Sequence, residues 1–480
     1  MLELGMALFS GVTGALVVAS LPKATERLRR AVVLLFSVTG MVFSWRVAIK
    51  IFNGGNIGII AQLGGLTWSL DPDPLGAMFG LIASTLWVFA AIYSFGYMER
   101  KTRPQTYYAF FLISLSATLG VAFSGNLLAL YFFYELLTLA TYPLVIHERS
   151  ADAVKAGRKY IIYSLSGAAA ILIAIVLTYI WSGKIDFASG PILVNTMRPG
   201  LNLLLALFVG GFGVKAALMP LHRWLPAAMV APTPISALLH AVAVVYSGVY
   251  GILRVVYSVF GRELMGTLSL ARKLPWVAAF TILVGVIIAT QQDVLKRRLA
   301  YHTISQLSYI LLGAFTLQPW GLGGAILHMI SYSTLKVTLF FCAGIIAERA
   351  DETAVSRMQG VGWSLPKTMI AFGVASLGMV GMLPLNTFWS KYYLMRGGVQ
   401  SGQWSLALVL IGSGIINAIC FLPTVVASFQ GEKAKSSGET GGNTMLMLGP
   451  TLCLAGIALL IGLYPGIVWP GVEAVVNRFF

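Results

Sequence analysis

The stretch FGVKAALMPLHRWLP, residues 212–226, decides the fold. It is an apolar run of membrane length that nevertheless carries Lys215, with Pro220 five residues further on. Proline removes a backbone hydrogen bond and breaks a helix. Broken helices at membrane depth line a site. A second stretch of the same kind, GMLPLNTFWSK at 381–391, sets Pro384 seven residues before Lys391. Two interrupted helices, five helices apart, predict two inverted repeats of five helices over about 106–260 and 274–428. Helices one to three then occupy about 1–105, and a C-terminal helix lies within 445–480.

The remaining residues agree with a membrane setting. The chain has 480 residues, 58% hydrophobic and 10% charged, against roughly 25% charged in soluble domains. A surface with so few charges faces lipid, so the fold class is an all-α polytopic membrane protein forming one membrane domain. Hydropathy and turn signals predict fourteen spans, at 4–21, 31–52, 74–95, 106–124, 126–147, 160–182, 201–228, 234–260, 274–290, 302–317, 321–347, 368–394, 404–428 and 445–468. The first is read as a retained helix and not a cleaved signal.

The net charge of +16 would on a soluble protein suggest nucleic acid. Here it sorts by side. Loops after odd-numbered helices hold twenty Lys and Arg, among them Lys23, Arg100, Arg149 and Lys296, whereas loops after even-numbered helices hold six. Positive charge marks the cytoplasmic side, so both termini are expected outside and no nucleic acid is expected as a partner. Cys342, Cys420 and Cys453 lie in apolar segments without CxxC spacing, so no metal site and no cofactor are expected.

Ionisable residues inside the spans carry the functional reading. A charge at mid-bilayer costs at least about 2.5–3.5 kcal/mol, and such residues face the protein interior. They are Glu135 in LYFFYELLTLATYPL, Lys215, His240 in PTPISALLHAVAVVYSGVY, His328 and Lys336 in GAILHMISYSTLKVTLFF, and Lys391. Glu135 and Lys215 can pair, each holding the other charged, and separating them leaves an isolated ammonium that sheds its proton. Histidine, with an ordinary pKa of about 6.5, suits an intermediate carrier. His328, Tyr332 and Lys336 follow one another at single-turn spacing, so one helix presents them as a column. The bland reading of any one of these residues is a static pair or a core hydrogen bond; six in a row argue for a proton relay. Arg46 and Lys50 can snorkel from a helix end. Asp71 and Asp73, in DPDP, read as a turn and helix start.

The block FGVKAALMPLHRWLPAAMVAPTPISALLHAVAVVYSGVYGILR, 212–254, resembles the signature of the antiporter-like subunits of respiratory complex I, the Mrp cation/proton antiporters and the energy-converting membrane-bound hydrogenases. QQDVLKRRLAYHTISQLSYILLG, LHMISYSTLKVTLFFCAG and PLNTFWSKYYL are similar to the same family's later helices. The resemblance runs over about 70–430. It implies fourteen helices with broken helices seven and twelve, and proton transfer along a midplane axis. It also implies that Glu135, Lys215, His240, Lys336 and Lys391 stand at the family's relay positions. Two departures stand out. Tyr332 occupies a place where members often have a second histidine, and His302 one usually filled by serine. The expected role is a proton-translocating subunit of a redox-driven multisubunit complex in the plasma or an energy-converting inner membrane. Its partners would be other membrane and peripheral subunits, the lipid bilayer and protons, and redox catalysis would lie on the partner subunits. The alternatives are a subunit of an Mrp-type sodium/proton antiporter, with Na+ as further cargo, and a structural scaffold with a degenerate channel. A haem held by His240 and His328 is a remote fourth.

Overall fold

The computed structural model describes residues 1–22, 25–63, 66–99, 101–188, 190–194, 198–439 and 442–480. Lys23 and Arg100 of the charge tally lie outside the described residues. The chain opens with α1 (Leu2–Ser20) and α2 (Glu26–Phe52). A short antiparallel hairpin follows, β1 (Ile59–Leu63) and β2 (Leu66–Leu70), which hydropathy did not announce. Next come α3 (Pro74–Tyr97), α4 (Pro104–Phe123), α5 (Leu127–Val145) and α6 (Ala151–Ser182). Their starts are written locally. Asp73, Asn126 and Ser150 accept the Gly76, Ala129 and Ala153 N–H groups at 3.0, 2.8 and 3.1 Å, satisfying donors that a helix leaves open at its N-terminus.

The seventh pass is broken as expected: α7 (Leu201–Lys215) stops and α8 (Trp224–Ala227) resumes beyond Pro220. The eighth is interrupted too, which hydropathy and turn signals do not foretell. α9 (Thr233–Ala241) and α10 (Val244–Arg254) meet at Val242–Ala243, and a π turn over Val255–Phe260 leads into α11 (Gly261–Thr267). Then follow α12 (Leu274–Thr290), α13 (Leu295–Phe315) and α14 (Pro319–Ala350). The twelfth pass is α16 (Pro366–Val380) and α17 (Thr387–Gln400), parted at Pro384 and preceded by the single turn α15 (Val361–Ser364). The chain closes with α18 (Trp404–Ser428), α19 (Gly442–Leu463) and the short α20 (Trp469–Phe479).

Among the described residues, eleven helical segments are long and apolar enough to cross a membrane. Adding the broken α7–α8 and α16–α17 pairs and the more polar α13 completes the fourteen expected passes. Polarity is inverted relative to a soluble protein. Large apolar side chains such as Ile173, Ile180, Ile415 and Ile419 point outward, whereas His240, Lys215, Lys336 and Gln306 are wholly enclosed. The segments Thr233–Thr267 and Pro319–Ala350 have their entire apolar windows buried. α14 is therefore the spine, flanked by α13, α16, α17, α19 and α9.

Candidate functional site

The break after α7 fixes Lys215. The freed carbonyls at the end of α7 are taken up locally: Ala216 N–H donates to Phe212 O, Leu218 N–H to Gly213 O, and the Trp224 indole to Val214 O at 2.7 Å. Ala217 takes φ +55 within this turn. Close approach of α10 holds the turn in place. A Cβ on Gly248 would stand 2.3 Å from Ala216 N and 2.6 Å from Phe212 O, so only glycine fits.

From there the Lys215 side chain crosses to α5. Its Nζ donates to Tyr134 O at 2.6 Å and sits 3.3 Å from the Tyr134 ring centroid. The expected direct pair with Glu135 is not made. Glu135 and Lys215 interact electrostatically, but the ammonium takes the carbonyl of the preceding residue, and Glu135 Oε1 is buried without a hydrogen-bond partner. Thr138 donates to the same Tyr134 O at 3.2 Å. The amine is thus held by a buried carbonyl, with the half-buried Glu135 carboxylate acting on it through its charge alone.

His240 ends α9 at the Val242–Ala243 interruption. Neither of its ring nitrogens has a hydrogen-bond partner, although the ring is fully enclosed. Buried polar groups of this kind take ordered water. Its backbone oxygen accepts the Tyr332 hydroxyl at 3.3 Å, which ties α9 to α14.

On α14 the column expected from single-turn spacing is present. His328 and Tyr332 stack at 6.0 Å, and Lys336 Nζ lies 5.7 Å from the Tyr332 ring. The two ends of the column turn to different neighbours. His328 Nδ1 meets Ser390 Oγ on α17 at 2.8 Å, and its ring stacks on Tyr309 of α13 at 5.2 Å. Lys336 Nζ meets His302 Nδ1 of α13 at 3.2 Å.

Lys391, on α17, folds back over the break. Its Nζ donates to Met379 O and Val380 O, each at 2.8 Å, and so closes the C-terminus of α16. A cation there also meets the negative end of the helix dipole. Asn417 of α18 donates to the same Met379 O at 3.4 Å. Gly381, at φ +96, leaves room for the lysine stem, since a Cβ there would stand 2.8 Å from Lys391 Cδ. A cavity of about 470 Å³ between α17 and α18, lined by Phe388, Lys391, Tyr392 and Ile411, reaches this amine from the apolar side.

The six expected residues therefore fall into two groups. Glu135 and Lys215 form one; His328, Lys336 and Lys391 form the other, and His240 lies on the interrupted eighth pass, tied to Tyr332 of α14. The residue that sequence reasoning noted only as a departure, and left out of the relay, is His302. Its predicted span began at 302, which put it at the membrane edge. In fact α13 begins at Leu295, so His302 sits two turns inside and is fully buried. The signal was the polar stripe His302, Ser305, Gln306 and Tyr309 within one helix.

Away from this row, Arg254 makes a bidentate pair with Asp73, both contacts at 2.6 Å, and donates to Tyr250 Oη at 2.9 Å. Asp73 is thus both the expected helix start and the counter-ion of a buried arginine. Arg46 pairs with Glu3 at 3.0 Å, at the protein surface.

A family model described as NADH:quinone oxidoreductase/Mrp antiporter, TM matches residues 124–416. NADH-quinone oxidoreductase subunit N of Desulforudis audaxviator is 34% identical over 359 residues, 74% of this chain and 71% of that one. One of the Na(+)/H(+) antiporter subunits of Alkalihalophilus pseudofirmus is 24% identical over 436 residues, 89% and 87% of the two chains. Among solved structures, a chain of the membrane-bound sulfane sulfur reductase, an archaeal respiratory membrane complex, superposes with a TM-score of 0.87 at 23% identity, covering 99% and 97%. A chain of the Mrp complex from Dietzia sp. DQ12-45-1b also gives 0.87, at 21% identity, covering 100% and 98%.

Proposed function

Because the chain belongs to the NADH:quinone oxidoreductase/Mrp antiporter family of membrane subunits, we propose that it is a proton-translocating, antiporter-like subunit of a redox-driven multisubunit membrane complex. The observation that carries this reading is the enclosed row from Glu135 and Lys215, past His240, to Lys336, His328 and Lys391. Such groups are costly inside a membrane, and where they occur they mark ion pathways and proton relays.

Each of this chain's residues then has a task. Lys215 holds a proton between the Tyr134 carbonyl and the Glu135 carboxylate. Withdrawal of Glu135 leaves the amine held by neutral groups alone, and its proton moves toward His240. Imidazoles and amines alternate from there to Lys391. Electron transfer resides on partner subunits. The two prolines at the breaks are consistent with two inverted five-helix repeats, about 106–260 and 274–428. The distribution of basic loops supports both termini lying on the outer side of a plasma or energy-converting membrane.

A second reading, a subunit of a sodium/proton exchanger without redox chemistry, draws on the 89% coverage against the Na(+)/H(+) antiporter relative. Purification of the native complex separates the two. A redox partner with electron-driven proton uptake in vesicles supports the first. Sodium-driven proton release with no redox subunit supports the second and overturns the first.

A further inference from the structure

Lys336 and Lys391 stand on different helices and do not touch, and on α14 only His328, two turns from Lys336, reaches α17, through Ser390. Tyr332, between His328 and Lys336, has its hydroxyl committed to His240 O. The connecting groups lie on α13. His302, Ser305, Gln306 and Tyr309 share one helix face at i, i+3, i+4 and i+7. All four are fully buried. His302 Nε2, Ser305 Oγ and both amide atoms of Gln306 have no hydrogen-bond partner, a run of unpaired polar groups that apolar packing alone does not explain.

Both ends of this run reach the relay. At one end His302 Nδ1 meets Lys336 Nζ at 3.2 Å. At the other, Tyr309 lies under Lys391 Nζ, 5.4 Å from its ring centroid, and hydrogen-bonds Ser413 of α18. Asn417, one turn along α18 from Ser413, faces His302 while its amide donates to Met379 O, the carbonyl that Lys391 also holds. Phe421 packs edge-on against the imidazole at 4.8 Å and fixes its plane.

We propose that the polar face of α13 is the proton link between Lys336 and Lys391, with His302 as its carrying residue and the Gln306 amide as the hydrogen-bonding step behind it. The link deepens the relay reading above and rests on it. The transfer is a proton hand-over from the Lys336 ammonium to His302 Nδ1, with release of the proton already on Nε2 to Lys391 in its neutral amine state, which becomes the ammonium. No bond other than N–H forms or breaks.

The test uses the intact complex in vesicles, with proton uptake followed by a fluorescent ΔpH dye and subunit content checked by gel. His302→Gln keeps a polar side chain beside Lys336 but cannot carry a proton, and is expected to lower uptake at least tenfold in a fully assembled complex. His302→Lys, which restores a titratable nitrogen, is expected to exceed His302→Gln. A purely structural role predicts the reverse order, because a second amine beside Lys336 is repelled. Should His302→Gln not assemble, Gln306→Leu is measured in its place and the same loss is expected. Uptake within twofold of wild type in an assembled variant, or His302→Gln above His302→Lys, overturns the link. Lys336→Ala runs in parallel: if it abolishes uptake while His302→Gln does not, the link alone fails. If neither has an effect, the relay reading fails with it.

Discussion

Lys391 donates to the Met379 carbonyl at 2.8 Å, and Met379 stands five residues before Pro384 just as Lys215 stands five before Pro220. Both halves of the chain thus have an amine at the C-terminal end of a broken half-helix, but they deliver it differently. In the first the lysine is the last residue of α7; in the second it returns from α17 across the gap. Lys391 has a structural duty that Lys215 lacks, because it covers two open carbonyls of α16.

That difference predicts two phenotypes. Lys215→Ala is expected to abolish proton uptake while leaving the complex assembled, with a smaller fall in its thermal midpoint than Lys391→Ala gives. Lys391→Ala is expected to abolish uptake and also to destabilise, since uncovered buried carbonyls cost about 1–3 kcal/mol. Differential scanning fluorimetry of the purified complexes checks the contrast. Equal midpoints for the two variants would mean that the α16 carbonyls find other partners.

Glu135→Gln and Asp73→Asn are expected to fail in opposite ways. Glu135 Oε1 has no hydrogen-bond partner to lose, so the amide should fold normally and transport at least several-fold more slowly. Asp73 holds Arg254 and starts α3. Breaking a buried pair on one side costs about 3–5 kcal/mol, so Asp73→Asn should lower yield while each surviving complex transports. Transport per assembled complex, measured beside expression level, decides this. A normal rate for Glu135→Gln would remove the carboxylate from the mechanism.

Gly248→Ala places a methyl group against backbone at 2.3 Å. Backbone cannot rotate away as a side chain can, and overpacking of this kind costs about 1–3 kcal/mol. Loss of transport with a lowered thermal midpoint is expected. Gly266→Ala, where a Cβ meets nothing within 4 Å, serves as the silent control. Normal transport by the Gly248 variant would show that the α7 turn tolerates displacement.

Outside the membrane spans, Asp293 clasps the loop after α14. It accepts the Ser356 N–H at 2.8 Å and the Ser356 hydroxyl at 2.9 Å. These bonds, the backbone one foremost, hold the carboxyl below its ordinary 3.8. A carboxylate held down contributes its stability above the unfolded value and loses it as pH falls through the folded one. The clasp is therefore complete at neutral pH and opens below about pH 4. Hydrogen exchange at Leu295 and Val355, whose N–H groups bond across the same seam, should accelerate there. Asp293→Asn should remove that pH step; a step that persists would assign it to another group.

Membrane character, the two breaks and the six ionisable residues were legible because each is a local exception: a charge or a proline in an apolar run. What escaped was of another kind. The start of α13 was placed too late because Lys296 and Arg298 look like loop residues, yet Lys296 donates to Ala231 O and Arg298 to Cys420 O. Charges satisfied by distant carbonyls are invisible to a hydropathy window. The interruption at Val242–Ala243 carries no proline or glycine to announce it. The Glu135–Lys215 pair was drawn from charge alone, whereas the amine found a nearer carbonyl.

The apolar cores of the two segments that carry His240, His328 and Lys336, within Thr233–Thr267 and Pro319–Ala350, are wholly buried against other helices and so kept from lipid. Changes of bilayer thickness act by tilting helices that touch acyl chains, here the outer faces of α1, α2, α6 and α18. The central column is set apart from the helices that would tilt, so its geometry is expected to follow neighbouring protein and not bilayer thickness.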